Sequence, residues 1–224
     1  ITACVDIATD DQRPAAARAE AAHAVAKMLV TTDPALLTEA QRMGSVKPLV
    51  WLCRHVEASN LAQFEALLAL TNLASHGEGA RRRIEADKGV SAMHYLMFSD
   101  HEAVQRAATE ALCNMAGGSD AVRRLLARPD QLRLWTGLSE DFDNADNPEA
   151  FATARAAVGT LATAAWDPDV VDSLLAEEGS GVKSVVNVAK SGNAELVHRA
   201  LHCMRSVLTC VDEEEARAMA EAGR

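Results

Sequence analysis

The densest apolar stretch of the chain runs Phe64-Glu65-Ala66-Leu67-Leu68-Ala69-Leu70-Thr71-Asn72-Leu73-Ala74. Its apolar positions occupy nearly every side of a 3.6-residue turn, so the helix it predicts must be buried between neighbours. The pattern recurs from Arg106 to Ala116, with Asn114 aligned on Asn72. Thinner copies run Thr153 to Ala162, with Thr160 in the Asn place, and His198 to Leu208, with Ser206 there. A degenerate first copy, Ala19 to Leu29, has Lys27 there. From Lys27 through Asn72, Asn114 and Thr160 to Ser206 the steps are 45, 42, 46 and 46 residues. A fixed step of this size marks a stacked array, whose units each bury their apolar face on the next.

Between the long copies the pattern shortens. After Asn72 come turn glycines Gly77 and Gly79, a helical piece from Ala80 to Asp87, a stop at Gly89, and a second piece from Val90 to Phe98. Ser99-Asp100 then offers capping chemistry for the next long helix. The same short–short–long order runs 119–128, 130–138 and 148–165, then 169–178, 181–190 and 194–210. Pro48, Pro129, Pro148 and Pro168 read as lying at or near helix starts, where proline is tolerated. Three helices per step of this length fit the armadillo repeat better than the two-helix HEAT form. The expected fold is all-α, a right-handed superhelical armadillo solenoid of three-helix units forming a single array over residues 1–224. Its parts are a partial repeat at 13–31, repeats at about 33–75, 78–117, 119–165 and 169–210, and a partial repeat at 212–224. The first residue is not Met and the last helix lacks a cap, so the chain reads as a piece of a longer protein.

Stacking leaves one stripe of each long helix open, on the concave side. In the second copy it is Glu65, Leu68 and Asn72, spaced by three and four. The corresponding positions are Glu20, His23 and Lys27; Arg106 or Ala107, Glu110 and Asn114; Thr153, Ala156 and Thr160; and Arg199, His202 and Ser206. With helices 8–10 Å apart, such a groove is on the order of 35–40 Å long. It would suit an extended or helical segment of another protein. The expected protein-binding residues are Glu65, Leu68, Asn72, Arg106, Glu110, Asn114, Thr160, Arg199, His202 and Ser206. An Asn amide both donates and accepts, so Asn72 and Asn114 can serve a partner's backbone or that of the adjacent repeat. The pattern leaves both uses open.

Charge narrows the partners. The 224 residues carry 22 Lys and Arg against 32 Asp and Glu, a net charge of −10, which disfavours nucleic acid. No apolar run is long enough to span a bilayer. Five cysteines, Cys4, Cys53, Cys113, Cys203 and Cys210, include no CxxC pair, which fits a reduced intracellular protein. Cys203 and Cys210, seven apart on one helix, read as buried filling.

No catalytic, cofactor or metal constellation emerges. His198 and His202 are four apart, but Arg199 stands where HExxH needs its Glu, and no third ligand is apparent. The acidic stretch Glu140 to Asn147 fails the calcium-loop pattern at Ala145, Asp146 and Ala152. It reads as an exposed loop. Gly77-Glu78-Gly79 and Gly179-Ser180-Gly181 lack the spacing of nucleotide loops. Arg81-Arg82-Arg83 reads as a solvated helix face. Trp51, Trp135 and Trp166 read as core packing, and Phe64, Tyr95 and Phe98 are the aromatics a binding groove would expose.

The string Phe64 to Ser75, the following Ala80-Arg81-Arg82-Arg83-Ile84 and the copy at Ala107 to Ala116 resemble the armadillo repeats of the UCS domain of myosin chaperones. The resemblance covers about Gln63 to Ala116, and the rest matches by period. It implies a cytoplasmic domain that binds the myosin motor domain and promotes its folding and assembly. It also implies a general heat-shock chaperone as a partner, recruited through a TPR region not found in this sequence. The alternative is an armadillo scaffold of the catenin kind without chaperone activity. Armadillo proteins of the importin kind place a Trp four residues before each Asn; Leu68 and Glu110 stand there, so reading of basic peptides in that manner is disfavoured.

Overall fold

Helix starts are fixed by side chains that satisfy the first free amides. Asp33, Thr38, Ser59, Asn147, Asp167 and Asn193 each accept a hydrogen bond from a backbone N–H two or three residues ahead. Thr38 and Gln41 do so reciprocally, as a capping box. Pro129, Pro148 and Pro168 take the first helical position. The computed structural model describes residues 1–55, 57–142, 147–211 and 220–221. Among these residues every regular element is a helix.

The chain divides into two compact units, Ile1–Ser119 and Asp120–Arg224. The first holds α1 (Thr2–Thr9), α2 (Ala15–Thr31), a 3-10 turn (Pro34–Leu36), α3 (Glu39–Arg54), α4 (Asn60–His76), α5 (Glu78–Ala86), α6 (Gly89–Leu96) and α7 (Glu102–Ala116). Helix α4 lies between α2 and α7 and rests on α3 and α5. Its Leu67, Leu70 and Leu73 are fully buried, each stabilising the unit by about 1.5–3 kcal/mol. The all-round apolar pattern thus has its expected cause.

The second unit holds α8 (Asp120–Leu126), α9 (Pro129–Glu140), α10 (Pro148–Ala164), α11 (Pro168–Ala189) and α12 (Ala194–Cys210). Helix α11 is broken at Ala176–Gly179, where Glu177, Glu178 and Gly179 adopt positive φ. The break divides it where the sequence pattern expects two short helices. Helices α9 and α12 both pack on α10 and on α11.

Within each unit the repeat step reappears as a contact step. His23 meets Glu65 and Asn72 meets Leu29. In the second unit Arg123 meets Asp167, Arg133 meets Glu177, and Arg199 meets the backbone of Arg155. These partners are 42 to 44 residues apart.

Pro48 departs from expectation: it is buried inside α3, not near a helix start. Here the first short helix is reduced to the 3-10 turn, so one continuous helix carries the rest of the repeat. The carbonyl that loses its N–H donor to Pro48 belongs to Gly44, which has no side chain to crowd the proline ring.

Candidate protein-binding face

The long helices α2, α4 and α7 lie side by side, and their open faces are joined by polar staples. His23 Nε2 lies 2.5 Å from Glu65 Oε2, with both side chains about four-fifths buried. Further along, Asn72 Nδ2 donates to the carbonyl of Leu29 at 3.1 Å and to that of Val30 at 3.5 Å. These carbonyls belong to the last turn of α2, where no intrahelical donor remains. On the other side, the Arg106 guanidinium lies 5.9 Å from the centre of the Phe64 ring, within cation–π range. Leu68 is half-buried beside these groups.

The first unit therefore brings Glu65, Leu68 and Asn72 on α4 together with Arg106 and Glu110 on α7, all half-buried, and Asn114, which is exposed. Ala107 is fully buried, so the open stripe of α7 begins at Arg106. Of the two uses open to the paired asparagines, Asn72 commits its amide donor to the adjacent repeat's backbone, whereas Asn114 faces solvent. Replacing Asn72 with Ala leaves the Leu29 and Val30 carbonyls, in a part-buried setting, without that donor and is expected to cost about 1–2 kcal/mol. Asn114→Ala is expected to stay within about 0.5 kcal/mol of the parent. Urea denaturation of the two variants checks this; equal stability would remove the staple.

In the second unit, Arg199 is half-buried, with one nitrogen donating to the Arg155 carbonyl at 3.1 Å and the other to Glu195 at 2.9 Å. His202 is exposed on the same helix, and the half-buried Ser206 donates to the His202 carbonyl at 3.1 Å. Thr160 must be corrected. It is fully buried and its hydroxyl donates to the Ala156 carbonyl at 2.9 Å. One turn away from it on α10 stand only small side chains, Ala156, Ala157, Thr163 and Ala164, so neighbouring helices close over the position and no open stripe remains there.

The aromatic and thiol expectations divide likewise. Trp135 is fully buried. Trp51 is half-buried, stacked on His55 at 4.6 Å with the Arg18 guanidinium 4.8 Å from its ring. Trp166 is 53% exposed, with Arg123 at 4.9 Å; it lies past the end of α10, beyond the packed helix faces. Tyr95 and Phe98 are exposed on and beside α6, and Phe64 is half-buried on α4. Cys53 and Cys203 are buried, and burial pushes each thiol up to about 12. Cys210 is exposed, contrary to the paired-burial reading, because α12 ends there. Most of the acidic loop, residues 143–146, lies outside the described residues, as does most of the expected partial repeat at 212–224. Among the described residues no cluster of metal-ligating side chains occurs and no helix is long and apolar enough to cross a membrane.

The sequence pattern assigned no role to Leu61, which is 57% exposed at the start of α4. Its spacing to Phe64 and Leu68, by three and four, was the available signal.

Comparison with known proteins adds relatives to this geometry. No protein-family profile matches the chain. It is 30% identical over 208 residues, 91% of its length, to the protein unc-45 homolog B of Danio rerio. Its fold matches that of UNC-45 from Drosophila melanogaster with a TM-score of 0.85 and 26% identity, over 98% of this chain and 27% of that one. A second UNC-45 structure, reported for features of that chaperone critical for binding and folding muscle myosin, matches with a TM-score of 0.78 and 24% identity. It is covered to 23% by 94% of this chain. A designed armadillo repeat protein shares the fold at a TM-score of 0.70 and 19% identity, over 99% of this chain and 87% of that one. The fold is thus the all-α armadillo type. The resemblance read from Gln63 to Ala116 extends over most of the chain. The chain spans 15–21% of the length of the unc-45 homolog B proteins it matches.

Proposed function

We propose that this chain, which belongs to the UNC-45 family, binds the myosin motor domain as a UCS-type armadillo domain and promotes its folding and assembly. The observation that supports this most is the similarity to UNC-45 over nearly the whole chain, in sequence and in fold. The geometry suits such work. Helices α2, α4 and α7 form a preformed wall, so capturing a mobile client segment costs little ordering of the chaperone itself. The action is holding, not turnover. A general heat-shock chaperone would be engaged through a region outside this sequence, and the setting is cytoplasmic.

Heating a purified myosin motor domain with the chain tests the proposal. The expected result is suppressed light scattering at amounts stoichiometric with the motor and without nucleotide, because each client occupies one chaperone. An armadillo scaffold without chaperone activity would leave the scattering curve unchanged, and that outcome would reject the proposal.

A further inference from the structure

We draw no further inference here: the strongest candidate, the apolar cavity of about 220 Å³ between α11 and α12 lined by Leu174, Val182, Val185, Met204 and Leu208, carries nothing because nothing in the structure shows what covers it.

Discussion

Trp135→Ala is expected to destabilise the second unit by about 3 kcal/mol, the low end of the range for removing a large buried aromatic. Trp135 is fully buried on α9, a helix packed on α10 and α11. Removing it leaves a cavity that those helices cannot fill without repacking. The value is at the low end because the indole Nε1 is buried without a hydrogen-bond partner. Its removal relieves a desolvation cost of about 1–3 kcal/mol. The same reasoning makes Trp135→Phe nearly neutral, within about 1 kcal/mol, since most of the apolar area remains and the unpaired donor goes. Trp166→Ala removes a half-exposed ring and should stay within about 0.5 kcal/mol. Guanidinium denaturation followed by circular dichroism measures all three. A Phe variant as unstable as the Ala variant would show that Nε1 is paired after all.

These tryptophans show what periodicity can and cannot give. It reveals the repeat because stacking imposes one apolar pattern on every long helix, and the copies at Phe64 and Arg106 both satisfy it. It also places the helices, since caps such as Ser59 and Asn193 act locally. It cannot tell which neighbour covers an open position. Asn72 and Asn114 share a register, yet one donates to Leu29 and the other faces solvent, because the distinction depends on the adjacent helix. Thr160 belongs to the same register and is buried, because the small residues beside it on α10 let neighbouring helices close over it. Leu61 does not stand out, because an apolar residue in an apolar pattern reads as core. Pro48 departs from the pattern for a local reason: the sequence does not announce that one repeat reduces its first helix to a single turn.

Glycine shows the same division, and carries the second large effect. Replacing Gly89 with Ala is expected to cost about 2–3 kcal/mol and Gly89→Leu more, by overpacking. The sequence reading makes Gly89 a helix stop. In the structure the left-handed residue is Lys88, with φ 63°, and Gly89 opens α6. What position 89 requires is space. A Cβ there would lie 2.5 Å from Ile84 Cγ2, 2.9 Å from the Ile84 carbonyl oxygen and 3.2 Å from Val50 Cγ2. Ile84 is itself fully buried, so it cannot swing aside, and the backbone oxygen cannot yield without moving α5. Gly181 meets a like constraint in the second unit, where a Cβ would lie 2.9 Å from the Leu174 carbonyl oxygen and 3.1 Å from Leu132 Cδ2. Gly79, in the first turn of α5, has nothing within 4 Å. Gly79→Ala should therefore stabilise by up to about 1 kcal/mol through helix propensity. Thermal unfolding of the two alanine variants should move in opposite directions. Should Gly89→Ala melt with the parent, the close approach of α5 and α6 is not what holds this turn, and glycine serves there only as a flexible joint.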